Sequence, residues 1–211
     1  MVRNWLSWKT VWAAVAPALV AASCSVSGAT PLVTVASMTG IAYVVLVAYG
    51  HWSANVFGAI LGGLFGALSY QAGFFGNALV NILFTIPVSI WGIWYWKNHQ
   101  GDKPRKMNAF QWKHFGAAFL AMVGAGMLFA FNSGSNLWYM DGVTAVMPIL
   151  ATFLLVTRYR EQWILWIPYN ALEVVMWFWV ASAAPEMLAI LVMRSVFFIN
   201  SLIGAALWWN K

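Results

Sequence analysis

The residue types best able to recognise a small molecule concentrate between positions 159 and 177 of this 211-residue chain. Set on a helix at about 100° per residue, Tyr159, Gln162, Trp163, Trp166, Tyr169, Asn170, Glu173 and Trp177 all project within an arc of about 120°. The rest of that turn is mostly Ile, Leu, Val, Ala, Met and Phe, with Trp179 the exception. Indoles offer flat, electron-rich faces that stack on aromatic rings and attract cations. The amides and the carboxylate add hydrogen-bonding groups on the same face. Such a face suits a flat, polar solute, a cationic aromatic one included. A plainer reading makes Trp163 and Trp177 anchors at a membrane interface and Asn170 a polar contact between helices.

A carboxylate on an apolar helix is expensive unless it is paired. Arg194 is the one basic residue inside the next apolar run. By helical rise it lies roughly 10 Å below the outer end of its helix, and Glu173 about 12 Å below the outer end of its own. The spacing predicts an ion pair between Glu173 and Arg194, chiefly structural. Asn200, further along the same run, and Asn55 and Asn81 in the first half are candidates for lining a cavity.

Catalytic constellations are missing. His51, His99 and His114 sit in or beside polar breaks, and neither HExxH nor GxSxG occurs. The single cysteine, Cys24, rules out an intrachain disulfide and metal sites built on several thiolates, and reads as a small packing residue. There is no phosphate-binding Gly–Lys loop, so nothing supports ATP-driven pumping by this chain alone. The expectation is a protein that is not an enzyme and needs no cofactor and no metal.

The elements that must position these residues are apolar helices. Hydrophobic residues make up 63% of the chain and charged residues 8%, against roughly 25% charged in a soluble domain. Eight apolar runs can be marked: Val11–Ser27, Leu32–Tyr49, Trp52–Tyr70, Asn77–Trp96, Phe115–Phe131, Gly142–Thr157, Gln162–Ala181 and Met187–Trp209. Most approach the length of about 20 residues that one bilayer crossing requires. With eight crossings, Arg3, Lys9, Lys97, Lys103, Arg105, Lys106, Lys113, Arg158, Arg160 and Lys211 fall on one side, and Asp141 and Glu186 on the other. Positive charge is retained in the cytoplasm, which places both termini there. The excess of basic residues is thereby a matter of topology and does not call for nucleic acid. The first run also has the look of a signal peptide or a surface-lying helix; a peripheral membrane helix is the preferred reading.

Runs two to four and six to eight resemble two copies. At an offset of about 111 to 112 positions, Trp52 falls on Trp163, Gly92 on Gly204 and Trp96 on Trp208. The expected fold is therefore an all-α integral membrane protein of about eight transmembrane helices. Two parallel three-helix bundles are joined by a linker helix (3+1+3), with an N-terminal helix added. The boundaries are 1–30 for the N-terminal helix, 31–97 for the first bundle, 98–140 for a basic cytoplasmic loop and linker helix, and 141–211 for the second bundle. A substrate site between the bundles, exposed alternately by their rocking, follows from that arrangement. Gly58, Gly62 and Gly66 read as a close-packing stripe, and Pro87, Pro148 and Pro168 as kinks.

Within this frame, Tyr159-x-Glu161-x-Trp163-x-x-Trp166 resembles a signature of the PnuC transporters. Asn55-Val56-Phe57-Gly58 and Gly92-Ile93-Trp94-Tyr95-Trp96 are similar to that family's first bundle. The likeness runs over roughly positions 35 to 211, leaving the N-terminal span outside the shared core. It implies a bacterial inner-membrane carrier of unphosphorylated nicotinamide riboside, a form of vitamin B3. Transport would be facilitated diffusion, with trapping by a cytoplasmic kinase, and the assembly a homotrimer in the lipid bilayer. The resemblance makes Trp163 and Trp166 the paired substrate-site tryptophans, followed by Tyr169 and Asn170. Carriers of thiamine or another nucleoside-like vitamin, and a membrane subunit that transports nothing, are the alternatives.

Overall fold

The structure, a computed structural model, describes residues 2–99 and 103–209; the side chains of residues 2–10, 48, 49 and 207 lie outside that description. Lys211 and the side chains of Arg3 and Lys9, three of the charges used for the topology, are therefore not placed. Eight helices form among the described residues: α1 (Val2–Ser27), α2 (Pro31–Tyr49), α3 (Ala54–Gln71), α4 (Phe75–Asn98), α5 (Ala109–Asn132), α6 (Trp138–Val156), α7 (Gln162–Ala183) and α8 (Leu188–Trp209). By length and composition, five segments could cross a membrane: α4 to α7 and Pro185–Ala206, which holds most of α8. The apolar stretches of α1 and α2 are shorter.

The breaks between helices are made by local chemistry. Gly28 and Gly50 take φ of +62° and +71°, a region that favours glycine. Thr30 then caps α2, its hydroxyl accepting from Val33 N at 3.3 Å with Pro31 in the first turn. Asn108 and Gln111 form a reciprocal capping box at the start of α5. Within α4, Pro87 removes the N–H that Leu83 O would accept. The chain opens there into one π-turn, Asn81–Thr85, with Ile86 N donating to Asn81 O.

Neighbouring helices close a ring in the order α2, α3, α4, α6, α7, α8 and back to α2. Helix α1 lies outside it against α2 and α8, and α5 lies outside against α6. The glycine stripe on α3 faces the π-turn. A Cβ at Gly62 would meet Asn81 O at 3.1 Å, and one at Gly66 would meet Ile82 at 2.5 Å. Cys24 is buried in the apolar core that joins α1, α2, α3, α7 and α8.

Helix α5 buries little except Ala130, and its hold on α6 depends on backbone approach at Gly126 and Gly142. A Cβ on Gly142 would stand 2.5 Å from Met127 Cα, which is backbone and cannot swing aside. Gly142→Ala is therefore expected to force the two helices apart and cost about 1–3 kcal/mol. Thermal unfolding in detergent measures it, and an unchanged midpoint would contradict this crossing.

Asp141, just outside the apolar run Gly142–Thr157 in the sequence, sits in the first turn of α6, fully buried. Its Oδ2 accepts from Gly76 N at 2.9 Å, and its Oδ1 from Asn77 N at 3.0 Å and Asn77 Nδ2 at 2.7 Å. It supplies the cap that α4 lacks in its own sequence, satisfying N–H groups left open at the helix start.

Candidate functional site

The six-helix ring encloses a cavity of about 90 Å³, well above the roughly 10–15 Å³ that one water needs. Every ring helix contributes to its wall, and neither α1 nor α5 does. From α7 come Trp163, Trp166, Tyr169 and Asn170, at the helical spacing that puts them on one face. Opposite them α3 presents Gly58, Leu61, Gly62 and Phe65. The α7 wall is bulky and aromatic, while on α3 Gly58 and Gly62 let Tyr43, Ser89 and the π-turn of α4 approach closely.

The other candidates divide. Asn81 and Asn200 line the cavity. Gln162 does not; it is fully buried, and neither amide atom has a partner among the described residues. Asn55 does not either. It lies in the space that a side chain at Gly92 would take, and its Nδ2 reaches only Trp52 O at 3.4 Å. The same replacement happens in the second half, where the Trp163 ring occupies the space over Gly204. Trp163 and Trp177 are 4% and 1% exposed, so both indoles are held inside the protein rather than at its rim.

Glu173 and Arg194 meet at 2.8 Å between Oε2 and Nη2. Trp177 Nε1 donates to the same carboxylate oxygen at 3.0 Å, and Arg194 Nη1 reaches Tyr169 Oη at 3.4 Å. The guanidinium lies 4.1 Å from the centre of the Phe65 ring, a favourable cation–π distance. Arg194 borders the cavity and Glu173 stands behind it. The pair presents a neutralised, rigid end wall rather than a free charge.

Polar atoms inside the ring are left open. Trp163 Nε1 and Asn170 Oδ1 are buried with no hydrogen-bond partner among the described residues. Unmatched buried groups of this kind are uncommon and call for a reason. Side by side with aromatic faces, they make a wall able to take a flat ring and hydrogen-bond its substituents.

Several wall residues escaped the sequence reading: Tyr43, Asn77, Ser89, Phe197 and Ser201. Asn77 had a signal, since it lies four residues before Asn81 on one helix face. Ser89 and Ser201 had another, because they stand 112 positions apart, the offset that relates Gly92 to Gly204. Tyr43 had none, being one aromatic residue in an apolar run.

At one end of the ring the basic residues rest on aromatic rings. Lys97 lies over Trp52 at 4.1 Å, Arg105 over Tyr159 at 4.7 Å, Arg158 over Trp96 at 5.9 Å and Arg160 over Trp209 at 5.3 Å. The linker before α5 is fastened there, with Arg105 N donating to Arg158 O at 2.8 Å and Met107 N to Glu161 Oε1 at 3.1 Å.

Comparison with known proteins agrees with this all-helical fold. Residues 30–210 match the family model described as nicotinamide mononucleotide transporter. A nicotinamide riboside transporter PnuC of Neisseria mucosa is 33% identical over 188 residues, covering 84% of this chain and 71% of that one. The PnuC of Haemophilus influenzae is 28% identical over 217 residues, covering 98% and 92%. A crystal structure of the vitamin B3 transporter PnuC superposes with a TM-score of 0.85 at 30% identity, covering 96% of this chain and 91% of that one.

Proposed function

The chain belongs to the PnuC family of membrane transporters, and from that premise we propose that it carries nicotinamide riboside through the cavity inside the helix ring. The observation that carries this reading is the α7 wall of the cavity, where Trp163, Trp166, Tyr169 and Asn170 stand together. Nicotinamide riboside brings a flat pyridinium ring and a ribose rich in hydroxyls. Trp163 and Trp166 supply the faces that attract a cationic ring. Asn170, Asn81, Asn200 and the open Trp163 Nε1 supply partners for the carboxamide and the sugar. Glu173 and Arg194 hold the end wall in place.

Transport is by facilitated diffusion. The buried carboxylates Asp141 and Glu173 are both engaged in fixed bonds, which favours a carrier uncoupled from ion movement. Net uptake then depends on removal of the product, and a cytoplasmic kinase that phosphorylates the riboside would trap it. The halves α2–α4 and α6–α8 act as two parallel bundles that rock about the central site, with α5 as the linker. The basic end faces the cytoplasm of a bacterial inner membrane, both termini with it, and the carrier assembles as a homotrimer.

Purified protein in liposomes tests the uncoupled mechanism. Labelled nicotinamide riboside is expected to equilibrate to equal concentrations inside and outside. Proton and sodium ionophores should leave the rate unchanged. Accumulation above the outside concentration under an imposed ion gradient would overturn facilitated diffusion, while absence of any uptake would favour a subunit that transports nothing.

A further inference from the structure

Asn77 stands at the start of α4, is 4% exposed and lines the cavity. Both of its amide hydrogens are spoken for. Nδ2 donates to Asp141 Oδ1 at 2.7 Å and to Thr144 Oγ1 at 2.8 Å. Thr144 uses its own hydrogen on Met140 O at 2.9 Å, so its oxygen is free to accept. A carboxylate can only accept. The network therefore fixes which way the Asn77 amide is turned, a point that usually has to be assigned by choice. Nothing among the described residues donates to Asn77 Oδ1. Asn170 Oδ1, by contrast, has no partner among the described residues.

We propose that Asn77 is a specificity-determining residue: its carbonyl oxygen, turned to the cavity by Asp141 and Thr144, accepts a hydrogen bond from a donor on the ligand. Resting on the riboside reading above, this means that the carboxamide form of the pyridinium riboside is taken and the carboxylate form refused. A carboxamide can donate N–H to Oδ1. A carboxylate offers only acceptors, and would leave two buried oxygens facing each other with the Asp141 charge behind them. A site built to hydrogen-bond one group rejects the analogue that lacks it far more strongly than a site that merely fits a shape. Asp141 and Thr144 act through Asn77 and are positioning residues.

The test is calorimetric titration of the purified protein with nicotinamide riboside and with nicotinic acid riboside. The unaltered protein is expected to prefer the amide form by at least about tenfold. Asn77→Leu should weaken the amide form by about tenfold or more and bring the two Kd values within a few-fold of each other. Thr144→Val, which removes one acceptor and leaves the Asp141 cap in place, should narrow the preference by a few-fold. A merely structural Asn77 would change both affinities alike. Equal binding of the two forms by the unaltered protein, or an undiminished preference in folded Asn77→Leu, overturns the proposal and leaves the transport reading standing. Tighter binding of the acid form overturns it too, placing the carboxylate on Arg194. Binding of neither form removes the riboside reading, and this proposal with it.

Discussion

Glu173→Ala is expected to destabilise the protein by about 3–5 kcal/mol. The variant leaves Arg194, 6% exposed, in the protein interior with the 3.4 Å bond to Tyr169 and the rings of Phe65, Tyr169 and Phe197 but no carboxylate. It also takes the acceptor from Trp177 Nε1, which is buried among Phe65 and Phe74. Two polar groups are thus orphaned by one substitution, and the charged one dominates the cost. Removing both charges is a different matter. A Glu173→Ala/Arg194→Met variant should recover most of the loss, because an apolar residue of similar length fills the space without a charge to solvate. Unfolding midpoints in detergent for the single and double variants decide between a buried pair and two independent groups. Additive losses would show that the charges do not act together.

Asp141→Ala is expected to cost about 3 kcal/mol. Its carboxylate accepts three hydrogen bonds from the first residues of α4. Bonds to a charged acceptor contribute about 1.5–3 kcal/mol each, and they are not additive. With the side chain gone, Gly76 N and Asn77 N are left buried at a helix start. Asp141→Asn should lose less, since one oxygen remains to accept. Hydrogen exchange at Gly76 and Asn77 measures the loss locally. Unchanged protection in Asp141→Ala would mean that α4 is capped by something else.

These predictions mark where the sequence could and could not be read. The α7 face was legible because 3.6-residue periodicity is local: Trp163, Trp166, Tyr169 and Asn170 share a side whatever surrounds the helix. The glycine stripe of α3 was legible for the same reason. The partners across the ring were not. Asp141 meets residues 64 and 65 positions away, and nothing near it in sequence marks it as a cap. Gln162 falls between Tyr169 and Trp166 on the polar arc, yet it is fully buried and no part of the cavity wall, which the angle around one helix does not reveal. Asn55 is drawn into the gap that Gly92 leaves, a contact between helices that no single-helix periodicity describes. The basic end was legible as a charge count, whereas its seating on Trp52, Trp96, Tyr159 and Trp209 depends on how the helices end together.

The central claim is that the α7 wall of the cavity binds the riboside, and fluorescence titration of the purified protein tests it most directly. Nicotinamide riboside should quench tryptophan emission saturably. Trp163→Ala and Trp166→Ala, each shown to be folded, should each bind about 10- to 100-fold more weakly, as expected for loss of about 1.4–2.8 kcal/mol of stacking and cation–π contact. Trp179→Ala, which removes a half-exposed indole from outside the cavity, should leave the affinity unchanged. Unaltered binding in both cavity variants, or saturable quenching by thiamine and none by the riboside, would contradict the account.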